Sequence, residues 1–263
     1  MSAGRAAGRS AAGNGAAGGD MHGPGPRQLT LALPIEASFA REDVLEDESN
    51  AAALAWLDRV TDWPQGRLAL WGPPGVGKTH MLHSLAAARG WRVLQGPALR
   101  GLPEPGPAVL DDADCVAEER ALLHLLNLCA ERGDPLLLAG RAPPARWPVA
   151  LPDLASRLRA THAVEIGRPS EALLAALLAK YFADRQLRVA PEVQAWLLAR
   201  LPREGGALAE AAARLDRAAL AAGGAVTRAL AREVLRDFEG FAAAGSAEDS
   251  ASLPESAATP TLL

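Results

Sequence analysis

The sequence predicts an α/β protein: a parallel sheet flanked by helices, followed by a small all-α lid. Three observations carry this. The stretch Gly72-Pro73-Pro74-Gly75-Val76-Gly77-Lys78-Thr79 joins an apolar run, Leu68 to Trp71, to a segment where Met81, Leu82 and Leu85 recur at helical spacing. Up to Ile166, short apolar runs alternate with amphipathic ones, the pattern of βα units whose sheet is covered on both faces. From Pro169 onward only helical periodicity remains.

Taken in order, residues 1–26 are rich in Gly and Ala with little to bury, and read as a disordered leader. Gln28-Leu29-Thr30-Leu31-Ala32-Leu33 is an apolar island within 27–35. Its alternating leucines suit a peptide that docks in a pocketed groove, and equally an edge strand. Residues 49–60 read as a helix capped by Ser49 or Asn50. Trp91-Arg92-Val93-Leu94 is a short second strand. The connection 96–107 contains Pro97, Pro103, Pro105 and Pro107, which argues against a regular helix. Ala108-Val109-Leu110 is a strand ending in Asp111-Asp112. Residues 118–132 place Leu122, Leu125, Leu126 and Cys129 on one helical face, with Gly133 as the stop. Residues 135–139 and 163–166 supply the remaining strands, completing a nucleotide-binding domain over 36–167.

Four helices follow over 168–239. Ser170 caps the first (Leu174, Leu177, Leu178, Tyr181), and Pro191 opens the second (Val193, Trp196, Leu197). Leu208 and Leu215 mark the third, closed by Gly223-Gly224, and Thr227 caps the fourth with Leu230, Val234 and Phe238. Residues 240–263 read as a disordered acidic tail.

The net charge of -4 argues against a broad basic face for nucleic acid, so any DNA contact is expected to be local or through a partner. Cys115 and Cys129 are too few for a disulfide framework. Both read as buried small hydrophobes in a reduced, cytoplasmic protein. No apolar run approaches membrane-spanning length. Trp56, Trp63, Trp71, Trp91, Trp147 and Trp196 are scattered and read as packing. His80 and His83 lack partners at metal-ligand spacing.

The chemistry concentrates at the glycine-rich loop. G-x-x-x-x-G-K-T after a strand and before a helix cradles the phosphates of ATP or ADP with the N–H groups of the turn that the glycines allow between Gly72 and Gly77. Lys78 reaches the β- and γ-phosphates, and the Thr79 hydroxyl ligates Mg²⁺. Of the acidic pair, Asp111 suits the Mg²⁺ shell and Asp112 the attacking water.

A P-loop sheet followed by a helical lid resembles the AAA+ plan, and several stretches resemble the DnaA clade within it. Gly72 to His80, ending Gly-Lys-Thr-His, is one; Ser49-Asn50, where that clade reads the adenine, is another. Leu151-Pro152-Asp153-Leu154-Ala155-Ser156-Arg157-Leu158 resembles the motif that carries the clade's arginine finger. The Gln28 peptide is similar to the one by which Hda-type regulatory inactivators, truncated DnaA homologues, grip the replicative sliding clamp. The resemblance covers about residues 28–236. It implies that Arg157 acts on the ATP of a DnaA molecule docked alongside. It also implies that Gln28, Leu29, Leu31 and Leu33 hold the chain on a clamp left on DNA. Two positions depart from the pattern: Arg141 stands where a sensor aspartate is usual, and Gly206 where the lid's sensor arginine would stand. The expected enzyme is therefore at most a weak P-loop ATPase, with resident nucleotide as a structural cofactor. A homo-oligomer is left open.

Three function classes compete. One is a regulator that switches initiation off by stimulating hydrolysis on DnaA. The second is a helicase loader of the DnaC kind running its own ATP cycle, and the third a clamp adaptor without catalytic contribution. A full initiator is disfavoured, because it would need a helix-turn-helix domain beyond residue 240, where the sequence reads as an acidic tail.

Overall fold

The computed structural model describes residues 44–241. The leader, the Gln28–Leu33 peptide and the tail beyond Phe241 lie outside the described residues. Five strands, β1 (Arg67–Trp71), β2 (Arg92–Gln95), β3 (Ala108–Asp111), β4 (Leu136–Gly140) and β5 (His162–Glu165), form one sheet in the order β2-β3-β4-β1-β5. Every pairing is parallel, with Leu68 level with Leu137 on one side and His162 on the other. Parallel strands bury both faces, which is why β1, β3 and β4 are continuous apolar runs rather than alternating ones.

The period of two sorts each strand between two cores. Leu68, Leu70, Val109 and Leu137 pack with Met81, Leu82 and Leu85 of α2 (Lys78–Arg89) and Leu54 and Leu57 of α1 (Ala51–Asp58). On the other face, Ala69, Leu110, Leu136 and Leu138 meet Leu122, Leu125 and Leu126 of α3 (Glu119–Arg132) and Leu154 and Leu158 of α4 (Pro152–Arg159). Between residues 96 and 107 the prolines leave only a short 3-10 turn at Gly96–Ala98, as the sequence requires. Gly133 ends α3 in the left-handed conformation.

The sequence-based reading needs correction at three places. Asn50 precedes α1 but does not cap it. Its amide is buried (5% exposed), donates to Leu45 O at 2.9 Å and accepts from Asp47 N at 2.8 Å, so it shapes the preceding turn instead. The fourth lid helix stops at Val234, and Phe238 packs from the following turn. Cys115 is exposed, because β3 ends before it and a 3-10 turn carries it outward; only Cys129 is buried.

The two thiols should therefore differ in behaviour. Burial pushes the Cys129 thiol from 9.0 up to about 11, with Asp134 adding to the effect. One thiol per native chain, Cys115, is expected to react with an aromatic disulfide at pH 8, and Cys129 only on unfolding, which counting released thiolate checks. A pKa raised in the folded state means that stability is lost as pH rises from about 9 to about 11, where the unfolded thiol has ionised and the folded one has not.

The lid comprises α5 (Glu171–Asp184), α6 (Pro191–Leu198), α7 (Gly205–Ala222) and α8 (Arg228–Val234) around a core of Leu178, Phe182, Leu197, Leu208 and Leu215. Ser170 and Thr227 cap α5 and α8, accepting from Leu173 N and Leu230 N. Phe241 closes against Trp196. Asp47 ties the first body segment to the lid: its carboxylate accepts from Ser170 N at 3.0 Å and from Ser49 Oγ at 3.0 Å. The Ser170 amide is the main reason its carboxyl sits below the ordinary range.

Candidate functional site

The carboxyl ends of β1 and β3 build the candidate site, which is where parallel sheets place ligands. β1 runs out at Trp71, and residues 72–77 turn back into α2, whose first residue is Lys78. The turn requires glycine. A Cβ on Gly72 would collide with the Ile166 carbonyl, while Gly75 and Gly77 hold φ of +77° and +98°. A Cβ on Gly77 would meet nothing within 4 Å, so the cradle is open at its base. Pro73 and Pro74 stiffen the first half of the turn, and Val76 packs against the core beneath it.

Lys78 Nζ donates to Gly72 O and Pro73 O, each at 2.8 Å, folding back over the loop it would serve. Burial is the main influence on its ammonium and lowers its pKa. Asp111, Asp114 and Asp112 oppose the shift, and Arg141 adds to it. Because β1, β3 and β4 run parallel, Lys78, the acidic run from Asp111 to Asp114 and Arg141 all stand at or after strand ends on the same side of the sheet. Asp111 is buried (5% exposed) and its Oδ1 accepts from Asp112 N at 3.0 Å. Asp112 is exposed, in the left-handed conformation at φ 48°, at the head of the 3-10 turn after β3. Thr79 is exposed one residue into α2. Asn50 is committed to its own turn, beside Gly167, whose N–H donates to Ser49 O at 2.9 Å.

Asp114 escaped the sequence reading although it belongs to the same Asp111-Asp112-Ala113-Asp114 run. Its Oδ2 accepts from Arg141 N at 2.8 Å, which links the ends of β3 and β4, while its buried Oδ1 has no partner among the described residues. The acidic run itself was the available signal. Two lid arginines that could have supplied a cation are engaged elsewhere. Arg203 pairs with Glu171 at 2.8 Å; Arg214 pairs with Glu210 at 2.8 Å and lies over the Phe238 ring.

Arg157 is not at this end of the sheet. It lies in the last turn of α4, which leads into β5, and its carbonyl accepts from Thr161 Oγ1 at 3.0 Å. Since Leu68 is level with His162, this is the amino-terminal edge of the sheet, opposite the P-loop. Arg157 is half-buried, and its guanidinium makes no hydrogen bond or ion pair among the described residues. Arg67, at the start of β1, sits nearby: it is 2% exposed, bonds Gln65 Oε1, and leaves Nε and Nη1 without partners. Burial, then the positive charge of Arg157, lowers its pKa. Nothing in the sequence marks Arg67 as buried, because a charged residue opening a strand usually sits at the rim. The Gln28, Leu29, Leu31 and Leu33 positions lie outside the described residues. No helix among the described residues is long and apolar enough to cross a membrane.

No family model matches this chain. Solved structures do share its architecture. Domain III of the replication initiation protein DnaA from Thermotoga maritima superposes with a TM-score of 0.65 at 17% identity, over 78% of this chain and 99% of that one. A replication initiator DnaA bound to AMPPCP and single-stranded DNA gives a TM-score of 0.54 at 17% identity, over 66% of this chain and 63% of the other. A variant of the Thermotoga maritima RuvB protein gives 0.58 at 13% identity, over 76% and 72%. The five-stranded parallel sheet, its flanking helices and the helical part that follows are those of the AAA+ fold seen in DnaA and RuvB.

Proposed function

We propose that this chain is a DnaA-related AAA+ regulator of chromosomal replication initiation. It binds ATP or ADP at its own P-loop, joins the sliding clamp through Gln28, Leu29, Leu31 and Leu33, and offers Arg157 to the ATP of a docked DnaA, whose hydrolysis it stimulates. One observation carries the reading: Arg157 sits across the sheet from its own cradle. β1 is five residues long, so its two ends are about 13 Å apart, well beyond hydrogen-bond range. A guanidinium there is useless to the chain's own phosphates and available to another subunit's.

At the chain's own site, the backbone N–H groups of Gly75, Val76, Gly77 and Lys78 and the Lys78 ammonium would bind phosphate, and the start of α2 adds its partial positive charge. Thr79 and Asp111 would hold Mg²⁺, an oxygen-only set suited to a hard cation. The orphaned Asp114 Oδ1 fits the hydrogen-bonding waters of such an ion. Held by these residues, Mg²⁺ would supply neutralisation of phosphate charge. Asp112, exposed next in the chain, would orient water. Gly206 has no side chain, and Arg203 and Arg214 are paired elsewhere, so turnover at this site is expected to be weak. The protein is expected to be cytoplasmic and to meet DNA only through its partners.

The complete set Lys78, Thr79, Asp111 and Asp112 favours a second reading, a helicase loader of the DnaC kind driven by its own cycle. Reconstitution separates the readings. Hydrolysis of DnaA-bound ATP is followed with and without clamp loaded on DNA, for wild type, Gln28→Ala, Arg157→Ala and Lys78→Ala. The regulator requires clamp-dependent stimulation that Gln28→Ala and Arg157→Ala each remove. An adaptor tolerates Arg157→Ala, and a loader shows hydrolysis of its own that Lys78→Ala abolishes.

A further inference from the structure

The lid reaches the P-loop with a carboxylate. Glu204 is the residue immediately ahead of α7, and its side chain does not turn back to cap the helix that follows it. It extends over the loop instead: a methyl group built on Gly75 would lie 2.5 Å from Glu204 Cδ and 2.6 Å from Oε2. Gly75, at φ +77°, presents bare backbone, and the Glu204 side chain lies directly on it. Among the described residues no hydrogen bond or ion pair holds this carboxylate. Arg203 is turned to Glu171, and a Cβ on Gly206 in the first turn of α7 would meet nothing within 4 Å.

We propose that Glu204 is the residue by which the lid counts phosphates, admitting a nucleoside diphosphate and penalising a triphosphate. The inference rests on the nucleotide-binding reading of the P-loop. Loop amides and Lys78 attract phosphate whatever the chain length, because their charge is fixed in sign. A third phosphate adds about one negative charge at the crest of the loop, where Glu204 already stands. Like charges ~5 Å apart in a water-exposed site cost a factor of about five to ten in binding. The diphosphate leaves the crest free and escapes most of that repulsion. Glu204 thereby acts as a specificity-determining residue rather than a ligand.

The test is calorimetric binding of ADP and of a non-hydrolysable ATP analogue to the full chain, at low and high salt, for wild type, Glu204→Gln and Glu204→Asp. Wild type should prefer ADP. Glu204→Gln should gain about five- to tenfold for the analogue and less than twofold for ADP. Glu204→Asp, which keeps the charge, should retain a preference. High salt should shrink the wild-type preference and leave the Gln variant unchanged. An unchanged ratio in Glu204→Gln, or an equal gain for both nucleotides, overturns the proposal while the nucleotide reading stands. If wild type binds neither nucleotide, the reading beneath it falls as well.

Discussion

Replacing Arg157 with alanine is expected to lower the stimulation of DnaA-bound ATP hydrolysis by about 10³-fold, the lower end of what an arginine supplied across a subunit boundary contributes. The chain's own nucleotide affinity should stay as it was, because the residue is a strand's length away from its own loop. Fold stability should change little, since the guanidinium holds no partner among the described residues. Arg67 behind it is a buried cation without a carboxylate partner, and like-charge repulsion favours an outward guanidinium at Arg157. Lysine should rescue poorly: a point charge on a flexible stem does not replace a planar fork of donors. Single-turnover phosphate release from preloaded DnaA checks the rate loss and the lysine variant, and a nucleotide titration with a melting curve of Arg157→Ala checks affinity and stability.

Lys78→Ala should weaken nucleotide binding by roughly 30- to 150-fold, because a charge-assisted hydrogen bond to phosphate contributes about 2–3 kcal/mol. The loop itself should survive. In the structure Lys78 bonds only its own loop carbonyls, Gly72 O and Pro73 O, which water can satisfy once the ammonium is gone. Titration with a fluorescent nucleotide, beside a melting curve of the free protein, separates lost binding from lost fold. Variant and wild type should melt within a few degrees of each other without ligand and diverge when ADP is present.

Most of the scaffold was legible because its signals are local. Apolar runs of four or five residues between glycines and prolines are hard to read as anything but buried strands. Ser170, Thr227, Gly133 and Pro191 announce helix ends by chemistry that needs no tertiary context. The P-loop was legible for the same reason: its glycines answer to backbone geometry within eight residues. The structure added what depends on distant contacts. Asn50 looks like a cap from its position, yet a buried amide takes the strongest partners within reach, here Leu45 O and Asp47 N. Glu204 and Gly75 are far apart in sequence, and no local pattern marks their contact. Arg67 reads as a surface charge until the sheet closes over it.

One measurement bears most directly on the claim that the chain keeps its own cradle as scaffold and spends its arginine on another molecule. DnaA is loaded with ATP labelled at the γ-phosphate and mixed, on clamp-bearing DNA, with this chain already holding unlabelled ADP. Labelled phosphate should be released rapidly with wild type and at the unstimulated rate with Arg157→Ala. Equal release with both proteins, or none with either, would contradict the account.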